Sequence, residues 1–521
     1  MKKYRFSKFL LIAGLSLLSF NQSCTDLDEE LFSAVTDDNF FKTEEEFVSA
    51  LGAAYTSLRG YGGNGNIFSA QEVTSDEMVV PTRGADWDDG GNWRALYLHT
   101  YGPSTNNVND TWTFLYGGVS SCNRVIAQFQ NIEVAGKDAY IAELRALRAL
   151  YYMWLLDIFG NVPIVDRFDV PVGFSPPNNT RAEVYAFVEK ELVESLPGLS
   201  KNVDASTYGR MNYYGAQAVL ANLYLNSVVY TGKPEWAKAV TACNEIINSG
   251  KYSLESNYFA NFNTSNAGSK EFIFAIPYDK IYFTGFNFGP MTLHYESRKT
   301  YKLAYQPWNG FCSLQEFYDS YEANDLRKGK PNTLAGPSGV RGNFLVGPQF
   351  DSDGKLLTDP DKGPASDPDP TVNFTPAINQ IAPNAYREAG ARIGKFEYAI
   401  GSTQEMDNDF PVFRYSDILL VKAEALWRQS AGDAQALTLV NQIRTRAGVT
   451  PFTSLTADNL LAERGREMFV ELKRRTDLIR FDKFNDARWA KPKDPSNHVN
   501  LYPIPRAQLD ANKSLKQNPG Y

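Results

Sequence analysis

The sequence predicts a mostly α-helical protein that carries a large loop-rich, partly β insertion. Three features support this fold class: a long helical stretch that is apolar nearly all round, a pair of helical patterns that occurs twice, and a change of composition between the two copies. A chain of 521 residues is longer than a single hydrophobic core usually supports. We therefore expect a helical body with a large excursion from it.

The N-terminus has the pattern of an export signal. A basic stretch, MKKYRFSK, precedes the apolar stretch FLLIAGLSLLSF and the small residue Ser23. Cys24 follows at once, which predicts a signal peptide at 1–23 and lipid (palmitate-type) attachment at Cys24, with residues 24–43 as a tether. The alternative is ordinary cleavage nearby with Cys24 incidental. Acyl chains would hold the protein at a membrane without a spanning helix.

The first helix is expected from about Glu44 to Leu58, because Thr43 and three glutamates form a capped, negatively charged start. The next segment, 74–109, is too long for a simple connection. It contains Trp87 and Trp93, and such aromatic residues favour burial or ligand contact over disorder. A second helix is expected from about 108 to 129.

The stretch 140–165, YIAELRALRALYYMWLLDIFGNVPIV, predicts the central helix. Apolar residues cover almost its whole circumference, which is typical of a helix inside a core. Arg148 and Asp157 interrupt the apolar run, so it is not a membrane span. Gly160 and Pro163 predict that the helix ends near Phe159.

An internal repeat defines the rest of the body. After a helix capped by Thr180 and ending at Pro197, the helical pair 213–227 and 236–250 parallels the pair 415–429 and 433–447. Small residues recur at matching positions, as in the helical hairpins of tetratricopeptide-like stacks. The expected domains are a helical region at 44–250 with a ligand loop at 74–109, a loop-rich insertion or cap at 251–410, and a helical region with a tail at 411–521.

The insertion is rich in aromatic residues, Gly, Pro and Asn, and Glu271–Ile276 has a strand pattern. Its acidic tract, 351–370, differs from a calcium loop of the EF-hand type, since Gly354 is at the fourth position and Lys362 replaces the closing glutamate. A solvated loop is the expectation for this tract.

In the C-terminal region, one helix is predicted from Thr456 to Lys473, with a charged face that is either solvated or bridged to another helix.

Composition excludes several function classes. The net charge is −8, and −12 without the signal segment, which disfavours nucleic acid and anionic membrane surfaces as partners. Three cysteines remain after Cys24, which is no disulfide framework, and three distant histidines suggest no metal-ligand spacing. Nucleophile-elbow, phosphate-loop and zinc-protease motifs are absent from the sequence. We expect no catalytic residues, no metal and no cofactor.

A sugar-binding site needs aromatic faces for the C–H surfaces of the sugar and polar groups for its hydroxyls. Two stretches combine both, the loop 74–109 and the segment 281–310. Any one of these aromatic residues could equally belong to the core. The candidate ligand-binding residues are Asp76, Arg83, Trp87, Asp88, Asn92, Trp93, Tyr282, Tyr301, Tyr305 and Trp308.

Four separated segments resemble the SusD/RagB family of Bacteroidetes nutrient-binding lipoproteins. They are RALRALYY with LLDIFGNVP in the central helix, residues 413–448, Glu463 to Phe481, and the closing LYPIPRAQLDANKSLKQNPGY. The resemblance implies an outer-membrane, cell-surface lipoprotein of SusD-like fold that binds oligosaccharides on its loop face. It also implies a SusC-like TonB-dependent transporter as partner in import, without catalysis. A RagB-like peptide-binding protein and a protein-only scaffold are the alternatives.

Overall fold

The computed structural model describes residues 44–132, 136–329 and 341–521. The expected signal segment, Cys24 and the tether lie outside these residues. By its internal contacts the chain divides into Met1–Phe47 and Val48–Tyr521, and the second unit holds almost all of the described structure. Among the described helices, none combines the length and the apolar character needed to cross a bilayer.

The mostly helical fold class is confirmed. The described α-helices are α1 (Glu44–Tyr55), α2 (Ile67–Glu72), α3 (Asn92–Tyr97), α4 (Asn106–Gln130), α5 (Lys137–Ile158), α6 (Arg181–Ser195), α7 (Tyr213–Leu225), α8 (Ser227–Thr231), α9 (Trp236–Ile247), α10 (Phe288–Thr292), α11 (Ser297–Tyr301), α12 (Gln315–Asp319), α13 (Tyr415–Gln429), α14 (Ala434–Arg446), α15 (Ala457–Met468), α16 (Arg474–Arg480) and α17 (Arg506–Ala511). The described strands are β1 (Phe272–Ile276), β2 (Phe344–Leu345), β3 (Gly347–Pro348), β4 (Asn373–Phe374), β5 (Arg392–Ile393) and β6 (Phe410–Arg414).

Helix α5 is the central core helix that its apolar pattern predicts. It packs on α4 and α6, and between positions 142 and 158 every residue except Arg145 is buried. Its three buried charged residues have partners: Glu143 pairs with Arg210, Arg148 binds Glu191 of α6, and Asp157 accepts hydrogen bonds from Gln71 and Tyr230. Buried charges need such partners because an unpaired one loses its hydration without compensation.

The two copies of the helical repeat stack directly on each other. Helix α9 packs on α7 within its own copy and on α13 of the other. Corresponding positions of the repeat are buried in the second helix of each copy. They are Ala239, Ala242, Cys243 and Ile246 in α9, which match Ala436, Leu439, Val440 and Ile443 of α14 in that order. Stacking therefore buries the matching apolar faces that neither hairpin could bury alone.

The insertion begins and ends at one two-stranded sheet. Strands β1 and β6 pair antiparallel, with Phe272 opposite Arg414 and Ile276 opposite Phe410. The insertion thus leaves the helical body and returns to it at the same place. Strand β2 pairs with β5 and β3 with β4, each over two residues.

In the acidic tract 351–370, Asp359 is buried, which corrects the expectation of a solvated loop at that residue.

The charged run of the C-terminal region is largely buried, and the solvated alternative for it is wrong. Arg414 donates to Glu471 at 2.7 Å and to Glu467 at 2.6 Å, and it also contacts Glu271. Arg446 of α14 pairs with Glu271 and Glu467, and Arg327 of the insertion pairs with Glu463 and Glu467. We call these seven residues the buried charge network. It joins the insertion to the helical body.

The helix predicted from Thr456 to Lys473 is shorter in the structure, because α15 ends at Met468 and the next helix, α16, begins only at Arg474. Val470 and Leu472 then adopt left-handed backbone angles, with φ of +59° and +56°. Their amide groups donate to two buried carboxyl groups, Val470 to Glu77 at 3.0 Å and Leu472 to Glu72 at 2.6 Å. Burial and the nearby Glu72 raise the pKa of Glu77 well above its usual value, which favours its protonated form.

The replacement Arg414→Met should destabilise the fold by about 3–5 kcal/mol, because it leaves three buried carboxylates without their shared cation. The free energy of unfolding, measured with urea, tests this. Arg506→Met on α17 is the matched control, since its ion pair with Asp510 is largely exposed. That control should leave the stability unchanged, and equal stability of both variants would contradict a dominant role for the network.

Stability should fall in acid. Burial alone would raise the pKa of Glu463, but Arg327, Arg466 and Arg444 outweigh it and lower the pKa to about 2. A carboxyl group with a lowered folded-state pKa contributes stability above its unfolded pKa of about 4.3, and this contribution is lost as the pH falls from there toward 2. Unfolding free energies at pH 7, 5, 4 and 3 should show the decline. The control Asp458→Asn, at an exposed position, should show the same pH dependence of stability as the parent chain. If the unfolding free energy of the parent chain does not change between pH 7 and pH 3, the lowered pKa assigned to Glu463 is refuted.

Candidate functional site

The two segments that the sequence selects for ligand binding meet in the structure. Val79 and Cys312 form a backbone bridge, with N–O distances of 2.9 and 3.0 Å. Arg83 lies buried beneath the junction and donates to the backbone carbonyls of Asn309, Tyr386 and Ala389. The loop 74–109 is therefore fixed to the insertion by main-chain contacts and by one arginine.

A cleft of about 450 Å³ lies where these segments meet. Three tryptophans are part of its wall, Trp87 and Trp93 from the first segment and Trp308 from the second. Among the described residues the lining consists of Asn64, Asp86, Trp87, Asp89, Trp93, Tyr295, Gln306, Pro307 and Trp308. Aromatic rings with a few amide and carboxylate groups are the composition that a sugar-binding site requires.

Trp87 is the centre of the aromatic group. Its ring is 5.4 Å from that of Trp93 and 6.4 Å from that of Trp308, centroid to centroid. Its indole N–H donates to the carbonyl of Trp308 at 2.6 Å. Trp93 is buried behind it, whereas Trp87 and Trp308 are partly exposed. The fixed indole thus keeps one apolar face available at the cleft.

The backbone around Trp87 is strained. Trp87 and Asp89 have φ of +60° and +40°, values that residues with a side chain rarely adopt. Such strain persists where the surrounding structure holds it, and it is common at ligand-binding sites. Gly310 makes room for the ring, because a Cβ atom there would lie 2.3 Å from Cε2 of Trp87.

The polar groups of the cleft are held by defined partners. The Tyr295 hydroxyl donates to Asp86, and burial followed by Asp86 raises the pKa of Tyr295 to about 12. The guanidinium of Arg387 lies 4.1 Å from the centroid of the Tyr295 ring. Asp89 accepts a hydrogen bond from the indole of Trp93. These contacts leave further acceptor capacity on both carboxylates for ligand hydroxyls.

The other residues predicted for the site lie elsewhere. Asp76 forms a bidentate pair with Arg474 at 2.7 and 2.8 Å and lines a separate cavity of about 290 Å³. Arg83 is 3% exposed, and its hydrogen bonds to protein atoms give it a structural role, which departs from the ligand contact expected from the sequence. Asp88 pairs with Arg94 at 2.6 Å.

Asn92 accepts the amide N–H of Asn107 at 3.2 Å, and it is not among the lining residues. Three tyrosines of the second segment, Tyr282, Tyr301 and Tyr305, are also not among the lining residues. Tyr301 packs against Tyr398 with ring centroids 5.5 Å apart, Tyr305 is partly buried, and Tyr282 is 84% exposed. Their contact with a ligand stays a prediction.

Sequence reasoning missed six lining residues, which are Asn64, Asp86, Asp89, Tyr295, Gln306 and Pro307. Five of them belong to the two segments that were selected, so their proximity to the tryptophans was a usable signal. Asn64 lies in a glycine-rich loop between Gly63 and Gly65, and only the tertiary structure brings it to the cleft.

A larger groove, of about 740 Å³, lies on the helical repeat and is lined by residues of 253–256, α13 and α14. Tyr415 is its single aromatic residue among the described lining. With a single aromatic ring it offers little surface for sugar faces. The tryptophan cleft is therefore the better candidate site.

Comparisons with known proteins agree with this architecture. The SusD family model matches residues 270–521, and a second model, described as starch-binding associating with outer membrane, matches residues 28–225. The starch-binding protein SusD of Bacteroides thetaiotaomicron is 26% identical over 490 residues, which cover 87% of this chain and 85% of that protein. A SusD-like protein, P2, of Formosa agariphila is 24% identical over the full length of both.

Solved structures show the same fold. A SusD superfamily protein from Parabacteroides distasonis superimposes with a TM-score of 0.74 at 22% identity, covering 94% of this chain and all of the other. Surface glycan-binding protein A from Bacteroides thetaiotaomicron, solved in complex with laminarihexaose, gives a TM-score of 0.70 at 23% identity over 91% and 99% of the two chains. The two family models together span most of the sequence, so this chain belongs to the SusD family.

Proposed function

We propose that this protein binds oligosaccharides at the cell surface through the tryptophan cleft. The observation that carries the proposal is the convergence of Trp87, Trp93 and Trp308 from two distant segments on one cleft with carboxylate and amide groups beside them. Trp87 and Trp308 would pack against the C–H faces of sugar rings, and Asp86 and Asp89 would accept hydrogen bonds from sugar hydroxyls.

The family membership supports a glycan as ligand. One relative is named a starch-binding protein, and two of the structural neighbours are named a laminarin-binding SusD-like protein and a surface glycan-binding protein with laminarihexaose bound. These names cover both starch and laminarin, so the type of linkage in the ligand of this chain is left to measurement. The proposed role is binding without a chemical step.

The cellular setting is part of the proposal. Lipid attachment at Cys24 would place the chain on the outer membrane, and a SusC-like TonB-dependent transporter would receive the bound oligosaccharide for import. The export-signal pattern of the N-terminal sequence, which is followed by Cys24, supports this setting.

The replacement Trp87→Ala should weaken oligosaccharide binding by about 1–3 kcal/mol, roughly 5- to 150-fold, because it removes the central stacking surface. Titration calorimetry with laminarihexaose, a starch-derived oligosaccharide and an oligopeptide measures this. Trp236→Ala at the start of α9 is the matched control, since it removes a tryptophan from the helical body. Two results would overturn the glycan proposal. One is that the parent chain binds the oligopeptide but neither oligosaccharide, and the other is that Trp87→Ala and Trp236→Ala bind sugar with equal affinity.

A second variant tests the geometry without removing a ring. Gly310→Ala places a methyl group on the Trp87 ring, so it should displace the indole and weaken sugar binding by a similar factor. Gly268→Ala is its control, because a Cβ atom there meets nothing within 4 Å. Unchanged affinity in Gly310→Ala would show that the position of Trp87 does not matter for binding.

The replacement Cys24→Ala should release the mature chain from the outer membrane, because it removes the proposed acylation site. Labelling with radioactive palmitate and fractionation of cells measure this, with Cys312→Ala as a control that changes a buried cysteine. After mild solubilisation, the acylated parent chain should co-purify with a β-barrel transporter. Membrane retention of the Cys24→Ala variant would contradict the proposed anchor.

A further inference from the structure

Three residues that are distant in sequence form a buried cluster beside the cleft. They are His294, Asp359 and Glu388, and their side chains are respectively 0%, 6% and 4% exposed. One potential ligand atom from each lies within 4.8 Å of the other two. The histidine Nε2 is 3.3 Å from Oδ2 of Asp359 and 3.8 Å from Oε1 of Glu388.

The facing polar atoms of this cluster have no hydrogen-bond partner among the described residues. They are Nε2 of His294, Oδ2 of Asp359 and Oε2 of Glu388. Buried polar atoms are nearly always paired, so three such atoms in one cluster require an explanation. An ion bound between the three side chains would supply the missing partners.

We propose that His294, Asp359 and Glu388 bind a divalent transition-metal ion, with Zn²⁺ as the ion that fits best. One imidazole nitrogen with two carboxylates is a ligand set for Zn²⁺ and related ions, whereas Ca²⁺ prefers oxygen ligands alone. In a tetrahedral zinc site with bonds of about 2.1 Å, ligand atoms are about 3.4 Å apart. The distances of 3.3 and 3.8 Å are close to that value.

The local charges favour a cation. Asp359 has Arg387 at 3.0 Å, but this arginine also pairs with Asp361. Glu388 has no arginine or lysine within ion-pair distance among the described residues. A buried carboxyl group without a counter-charge is unfavourable when ionised, and a bound metal ion would supply that charge.

The imidazole of His294 must present a lone pair at Nε2. At present Nδ1 accepts the amide N–H of Glu296 at 3.1 Å, and metal binding would move the ring proton to Nδ1 and break this contact. The loss of one long hydrogen bond is small beside the formation of three metal–ligand bonds.

The cluster lies directly behind the cleft wall. His294 precedes Tyr295, and Arg387, which packs on the Tyr295 ring, precedes Glu388 and binds Asp359. A bound metal would therefore fix the two residues that position Asp86 at the cleft. This metal-site proposal does not depend on the identity of the ligand in the cleft.

The test is direct metal binding by the full chain. After removal of metals with a chelator, incubation with Zn²⁺ and removal of excess ion, elemental mass spectrometry should find one zinc per chain. Calorimetry with Zn²⁺ and Ca²⁺ should show at least tenfold tighter binding of Zn²⁺, and zinc should raise the melting temperature. A chain that retains no zinc under these conditions would overturn the proposal.

Two variants assign the site. His294→Gln and Glu388→Gln should each weaken zinc binding at least tenfold, while Asp353→Asn, an exposed acid in the same insertion, should bind zinc like the parent chain. Circular dichroism checks that each variant is folded. If His294→Gln fails to fold, the zinc affinity of the nearly isosteric Glu388→Gln tests whether the metal binds at this site. Parent-like zinc affinity in the folded variants would assign the metal to another place and refute this site.

Discussion

The buried charge network is the constraint on which the rest of the structure depends. Arg414 stands at the junction of β6 and α13, where the insertion ends and the second helical repeat begins, and it binds Glu467 and Glu471 from the C-terminal region. Arg327 and Glu271 bring the insertion to the same point. Each charge in this network is acceptable in the interior only because the others are in place. The network therefore specifies one way for the insertion to close onto the helical body.

That closure determines where the ligand loops lie. The segment 74–109 begins next to Glu72 and Glu77, whose carboxyl groups hold the left-handed turn after α15, and Arg83 fixes its middle to the insertion through backbone carbonyls. The cleft is thus built on a junction of three distant parts of the chain. A rigid base of this kind reduces the conformational entropy that a ligand must remove on binding, which suits the proposed binding of flexible oligosaccharides.

Polar residues in this protein fall into three groups that composition alone does not distinguish. Most of the arginines near the cleft and in the C-terminal region support the fold, as Arg83 and Arg414 do. The acids at the cleft, Asp86 and Asp89, are only partly occupied by protein partners and lie beside exposed aromatic faces. Behind them, His294, Asp359 and Glu388 form a third kind of group, which is buried and has polar atoms without hydrogen-bond partners among the described residues. Burial and the saturation of hydrogen-bonding atoms separate these groups.

The sequence by itself determined the helical body and the chemistry of the ligand face. Periodicity placed α5 and the four repeat helices within a few residues, because an apolar stripe must be buried and its spacing identifies the helix. Aromatic density selected the two segments that supply Trp87, Trp93 and Trp308. Only the tertiary structure decided which polar residues face the cleft, that the helix predicted from Thr456 ends at Met468, and that His294 meets two carboxylates. The physical reason is that these outcomes depend on contacts between residues far apart in the chain, and local pattern carries no information about such contacts.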